Sequence, residues 1–263
     1  MFRQLDKTGA LRSLSPLIVT FENHPRLSLQ SDYIPQLLTT SDERAALLSA
    51  FGEVLMLSFN EIKYLTAAQF MERLHTQYDV SVLLMGYDHR FGSDRLKNPL
   101  EYRRIGDKIG VEVLTIGEFM EGEWHVSSTE IRAALESGNI ALANELLGRP
   151  YTLRGTVVHG KGLGRTIGFP TANLAPNDAH KIIPKAGVYA VSVRSTAFAW
   201  TSAILNIGAE GNEAHIPSFK GDIYGEPMDV RFLRYIREER YFDDLEDLRM
   251  QIKADVDSIL HLA

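Results

Sequence analysis

The apolar pattern of this chain changes period at Tyr151, and that change constrains the fold more than any single residue does. Before it, short apolar runs such as PLIVTFENHP, VLMLSF, VSVLLMGYDHRFG and VEVLTIG alternate with SDERAALLSAF, TAAQFMERLHTQY and PLEYRRIGDKIG, which carry helical spacing. Near-continuous apolar strands separated by amphipathic helices predict a parallel sheet covered on both faces. Ser41 and Thr66 are the expected caps of two of these helices. STEIRAALESG reads as a helix ending at Gly138, with ALANELLG a short helix after it. After Tyr151, YTLRGTVVHG, GVYAVSVRS, AWTSAILNIG and GEPMDVRFLRYI alternate apolar and polar residues, as half-buried antiparallel strands do. A closed or nearly closed β-barrel removes the exposed edges of such strands, and DDLEDLRMQIKADVDSILHL adds a C-terminal helix. The boundary is expected near Leu147–Pro150, giving domains 1–148 and 149–263.

A length of 263 residues suits two domains, and a 44% hydrophobic share lets each bury a core. The net charge of -6 argues against a general nucleic-acid binder, which needs a basic face to neutralise phosphates. It leaves room for small phosphorylated ligands, which need only a few local donors. With no cysteine there is no disulfide, thiolate zinc site or cysteine nucleophile, and a cytoplasmic location fits. No apolar run reaches membrane-spanning length, and MFRQLDKTGALRSL lacks the apolar core of a secretory signal.

GKGLGRTIGFPTANLAP, residues 160–176, has neither helical nor strand periodicity, so it is expected to be neither. Its glycines permit close backbone approach, and two readings stay open, a plain surface loop or a phosphate cradle. In the cradle reading Gly160, Lys161, Gly162, Leu163, Gly164, Arg165 and Thr166 surround the phosphates of a nucleotide. Thr171 and Asn173, one residue apart, face the same side of an extended backbone and offer hard oxygen ligands for magnesium; the plain alternative is a turn before Pro176.

Glu213 and His215 alternate along an expected strand in GNEAHIPSF, so Glu213 is either a base for a hydroxyl or an exposed strand carboxylate. In YIREERYF, Arg237 and Glu238 either clamp a planar polar ligand or belong to a solvated charge run. In WHVSSTEIRAAL, Ser127, Ser128 and Thr129 precede a helix whose free N–H groups favour phosphate, with Arg132 one turn in. Ser127 and Glu130 also fit a plain capping box. GYDHRFG and TFENHP end strands at the ligand side of an open α/β sheet, and His24 and His89 have no partner at metal-ligand spacing.

These segments together resemble the prokaryotic bifunctional riboflavin kinase/FAD synthetase family almost end to end. TFENHP, GYDHRFG and VSSTEIRAAL followed by ELLGRPY look like its nucleotidyltransferase half. GRPYTLRGTVVHGKGLGRTIGFPTANL, PKAGVYAV, NIG, GDIYG and REERYF look like its riboflavin kinase half, with G-F-P-T-A-N at 168–173 its most specific motif. The resemblance implies a Rossmann-like α/β domain followed by a six-stranded antiparallel barrel with a C-terminal helix. It implies phosphorylation of riboflavin to FMN and adenylylation of FMN to FAD, with ATP and magnesium. Carried onto this sequence, Thr171 and Asn173 are the metal and phosphate ligands, and Glu213 is the catalytic base. Ser127, Ser128, Thr129 and Arg132 match a phosphate motif of the adenylyltransferase, and Asp88 and Phe91 fall in its flavin-lining segment; His24 joins that site and Arg237 and Glu238 the flavin side of the kinase.

The sequence departs from the family pattern twice. It holds no H-x-G-H, whose histidines stabilise the transferring phosphate, and reads as beginning after the strand that carries it. NIGAEGNEAHI is also abrupt where the family has a longer segment ending in Pro-Thr-Phe. A kinase-only enzyme and a non-catalytic flavin or nucleotide binder are the alternatives these departures raise; a nucleotidyltransferase for another substrate would leave the second half without a counterpart.

Overall fold

The computed structural model describes residues 2–22, 34–86, 88–116, 120–121, 124–160 and 162–259. Packing divides the chain into one unit of Met1–Pro35 with Thr39–His125, and another of Gln36–Leu38 with Val126–Ala263.

The first unit opens with helix α1 (Phe2–Arg12) and strand β1 (Leu17–Phe21), followed by α2 (Ser41–Leu48) and β2 (Glu53–Leu57). A single helical turn, α3 (Phe59–Ile62), then precedes α4 (Ala67–Tyr78), β3 (Val82–Gly86), α5 (Pro99–Ile109) and β4 (Glu112–Ile116). The apolar runs read as parallel strands do pair in parallel, β1 with β2 and β3 with β4. Helix α4 serves both pairs. Its Phe70 and Leu74 pack with Val19, Phe21 and Leu55, while its Ala67 and Met71 pack with Met85, Tyr102 and Val113. Thr66 caps α4 in a reciprocal box with Gln69, as its spacing predicts. At α2 the expected cap moves back by one residue: Thr40, not Ser41, accepts from the Glu43 amide, and Glu43 returns the bond to Thr40. A box needs its acid at the third helical position, which only Thr40 satisfies. Helix α1, the α3 turn and the short hairpin β5 (Met120–Glu121)–β6 (Trp124–His125) carry no periodicity long enough to predict.

The second unit holds α6 (Ser128–Ser137) and α7 (Ile140–Leu147), each ended by a glycine in the left-handed region, Gly138 and Gly148. Both helices therefore pack in the same unit as the barrel, although they lie before Leu147–Pro150. Then come β7 (Thr152–Val158), the one-turn helix α8 (Leu163–Thr166), β8 (Thr171–Pro176), β9 (Gly187–Ser195), β10 (Thr201–Gly208), β11 (Gly211–His215), β12 (Pro227–Arg237) and α9 (Leu245–Ile259). The six strands close into a barrel in the order β10-β11-β8-β7-β12-β9. Leu153, Val157, Leu174, Leu205, Met228 and Phe232 fill its interior. α9 lies on the outside, where Ile259 and Val256 cover Val188, Ala190 and Ile204. That cover buries β9 on both faces from Val188 to Val191, so its polar–apolar alternation fades there.

Residues 160–176 correct the expectation of neither helix nor strand, since α8 and β8 lie within them. The strand is imposed by its neighbours: β7 and β11 pair with β8 on its two sides, and that ladder outweighs a sequence with little strand character of its own.

Candidate functional site

Burial along β11 alternates, with Asn212, Ala214 and, just beyond it, Ile216 buried. Glu213 and His215 therefore face outward. On β8, Ala172 and Leu174 pack with the barrel interior, so Thr171 and Asn173 also face outward. Antiparallel register places Asn173 directly opposite Glu213 and Thr171 opposite His215. The row continues across the next strand, where Asn206 is the partner of Glu213. Partners in such a row have adjacent Cβ atoms, so hydroxyl, carboxylate and carboxamide groups gather on one patch outside the barrel.

Thr171, Glu213, His215 and Asn206 of this patch line a pocket. Gly164, Ile167 and Phe169 from the glycine segment line one side, Arg237, Glu239, Arg240 and Phe242 another, and Leu248, Ile252 and Asp255 of α9 a third. Two register shifts in β12, at Phe232/Arg234 and Tyr235/Arg237, turn the end of that strand. Arg237 is held there by Asp255, which accepts from Nη2 at 2.7 Å and Nε at 3.1 Å, while Gln251 Nε2 donates to the same carboxylate at 2.9 Å. Their side chains are only 15% and 4% exposed, so the ion pair is a fixed part of the wall. Glu238, read beside Arg237 as a flavin contact, is instead 74% exposed and paired with Lys185 at 3.0 Å. It is absent from the pocket lining, its carboxylate being drawn to Lys185.

The glycine segment closes over this patch. A Cβ on Gly160 would collide with the Asn173 carboxamide, and one on Gly164 with the Phe169 carbonyl. The backbone thus lies directly against Asn173. Gly162 starts α8 at φ +73° and Gly168 follows it at φ +87°. His215 Nδ1 lies 2.9 Å from the Pro170 carbonyl and its ring meets Phe169 edge-on, which pins the G-F-P-T-A-N segment to β11. Arg165 is exposed; Lys161 lies outside the described residues, and so does the side chain of Leu163. The abrupt Gly208–Gly211 connection is a tight hairpin with Ala209 and Glu210 at its tip, and it leaves Glu213 in register.

Magnesium fits this donor set. Thr171 and Asn173 present two hard oxygens on one face beside a carboxylate and an open backbone, the sparse protein coordination expected when substrate phosphates complete the shell. Among the described residues no group of three or more His, Cys, Asp or Glu forms an all-protein metal site.

The residues read as an adenylyltransferase site fall in both units, and each set is described in its own. In the first unit Asp88 is exposed, while the Phe91 and Tyr102 rings meet at a tilt of 48° with centroids 4.6 Å apart. Phe91 also lines a cavity with Arg90, Gly92, Arg95, Leu96 and Lys97, whose three cations favour an anionic ligand. His24 lies outside the described residues. In the second unit Ser127 caps α6 by accepting from the Glu130 amide at 3.3 Å, but the return bond to the Ser127 amide is not made. Glu130 bonds the Ser127 hydroxyl instead, so the expected capping box is only half formed. Ser128 and Thr129 are exposed in the first turn, and Arg132 Nε donates to the Gln36 carbonyl at 2.9 Å.

Sequence reading missed Asn206, Glu239, Asp255 and the apolar wall of α9. Asn206 stood in view inside NIG, but only strand register pairs it with Glu213.

A family model described as riboflavin kinase matches residues 147–263, and one described as FAD synthetase matches residues 1–130. A protein of Escherichia coli (strain K12) named bifunctional riboflavin kinase/FMN adenylyltransferase is 34% identical over 97% of this chain and 85% of its own length. Its namesake from Haemophilus influenzae is 32% identical over 98% of this chain and 87% of its own length. A crystal structure described as a macrolide-efflux protein from Streptococcus pneumoniae superposes with a TM-score of 0.86 at 32% identity, covering 99% of this chain and 88% of that one. Among the described residues no helix is long and apolar enough to cross a membrane.

Proposed function

The chain belongs to the bifunctional riboflavin kinase/FMN adenylyltransferase family, and from that premise we propose that it phosphorylates riboflavin to FMN with ATP and adenylylates FMN to FAD. The observation that carries the kinase reading is the outward row Asn173–Glu213–Asn206 beneath the glycine segment. Residues 160–166 hold the ATP phosphates through backbone N–H groups, with Arg165 adding charge at the rim. Thr171 and Asn173 would hold magnesium, which when bound neutralises charge on the phosphates. Glu213 accepts the proton of the riboflavin 5′-hydroxyl as its oxygen bonds to the γ-phosphorus. The bond from that phosphorus to the β–γ bridging oxygen breaks, and ADP leaves. Most of the acceleration on this reading comes from alignment and charge neutralisation, which a rigid barrel face supplies.

For the second reaction, the basic cavity beside Phe91 suits the phosphate of FMN. The sequence contains no H-x-G-H, so the two activities are tested separately. The protein is incubated with riboflavin, ATP and magnesium, then with FMN, ATP and magnesium, and the products are resolved by chromatography. FMN from the first incubation and FAD from the second support both activities. FMN without FAD limits the chain to the kinase, and neither product overturns the reading in favour of a binding protein. The small-molecule substrates and a lack of cysteine suit a cytoplasmic location.

A further inference from the structure

The side of the pocket away from the metal ligands contains a second built contact. Asn206 is the register partner of Glu213 on the edge opposite Asn173, so the base carries a carboxamide on each flank. Asn206 Nδ2 donates to Glu239 Oε1 at 3.3 Å, and both residues line the pocket. Glu239 reaches that position across Gly208, where any Cβ would collide with its carboxylate. The glycine of N-I-G is at ordinary φ, so the space for Glu239, not backbone freedom, is what its missing side chain provides.

We propose that Glu239 and Asn206 form a positioning pair that aligns the hydroxyl-bearing substrate against Glu213. The proposal rests on the kinase reading and extends it to how the polyol side is selected. An ionised carboxylate only accepts hydrogen bonds, so it forces the amide nitrogen of Asn206 towards itself. The Asn206 oxygen is left as the acceptor offered to the pocket beside the base, where it can hold a neighbouring hydroxyl of the polyol and leave the reacting hydroxyl's proton to Glu213. Asn173 serves the phosphate donor and Asn206 the phosphate acceptor, with Glu213 between them. Glu239 touches no reacting atom. It acts through Asn206.

Steady-state kinetics of FMN formation, with riboflavin and ATP varied independently, test the pair in Glu239→Gln, Asn206→Ala, the double variant and Gly208→Ala. Glu239→Gln keeps the shape but allows the Asn206 amide to flip, and is expected to raise the KM for riboflavin about tenfold, one hydrogen bond's worth. The KM for ATP should stay within about twofold. Because Glu239 acts through Asn206, the double variant should lose no more than Asn206→Ala alone. Gly208→Ala should reproduce the riboflavin effect by displacing the carboxylate. Thermal melts of each variant separate a loss of fold from a loss of alignment. Additive losses in the double variant, or equal changes in both KM values, overturn the pair. If the wild-type protein forms FMN and Glu239→Gln matches it, this inference alone falls; if the wild type forms none, the kinase reading falls with it.

Discussion

Asn173 of β8 and Glu213 of β11 are direct antiparallel partners on the outer face of a closed barrel, although 40 residues separate them in the chain. A candidate metal ligand and a candidate base are thereby held by two hydrogen-bonded backbones rather than by loops, which limits their relative movement. Glu213→Gln should therefore leave folding intact and lower kcat for FMN formation by about 10²–10⁴-fold. Asn173→Ala should instead raise the magnesium concentration needed for half-maximal rate. Product chromatography across a magnesium series checks both, and an unchanged rate in either removes that residue from the mechanism.

Two glycines of the candidate cradle should respond differently to alanine. At Gly160 the new Cβ meets the Asn173 carboxamide, so activity should fall by more than about tenfold with little change in melting temperature. At Gly162 nothing lies within reach, but φ is +73°, and alanine there should cost roughly 1–2 kcal/mol of local strain. Comparing initial rates with thermal melts for the two variants distinguishes a steric from a conformational role.

Asp255 should matter to the pocket through stability. Replacing it by alanine leaves the Arg237 guanidinium buried without its counter-ion, a loss of about 3–5 kcal/mol in comparable buried pairs. Asp255→Asn keeps the acceptor oxygen and should cost less. Urea unfolding of both variants checks the order, and an alanine variant as stable as wild type would place the strength of α9 docking in its apolar contacts alone.

The barrel exterior should carry a pH-dependent contribution. Burial works against the charge of Asp229, but hydrogen bonds from Arg154 and Arg194 prevail and hold its carboxyl below the usual carboxylate range. A depressed folded-state value stabilises the protein above the unfolded pKa of about 4, and that contribution is lost as pH falls through the folded value. Asp229→Asn should lower stability at pH 7 by roughly 1–3 kcal/mol and flatten the acid limb of the stability profile. Melting temperatures between pH 3 and 7 measure the difference.

The legible part of this protein was what depends on neighbours in the chain. Alternating apolar and polar residues marked β7, β10 and β12, and helical spacing marked α4, α5 and α9, because burial selects one face of each element. Glu213, Thr171 and Asn173 were legible as candidates from residue type and motif, with Thr171 and Asn173 two positions apart and so on one face of any extended backbone. The strand β8 was not legible: its pairing energy comes from β7 and β11, not from its own composition.

Arg237 and Glu238 show the same limit at the level of a site. The sequence places them side by side, whereas register shifts in β12 turn Arg237 into the wall and leave Glu238 paired with Lys185 outside it. Periodicity alone determined that this chain forms an α/β unit and a barrel, and motif resemblance put its candidate site residues at 160–173 and Glu213. Only tertiary structure decided that Asn206 and Glu239 line the same pocket as Glu213. Strand register and barrel closure are set by the summed pairing and burial of all six strands, and no local stretch contains that sum.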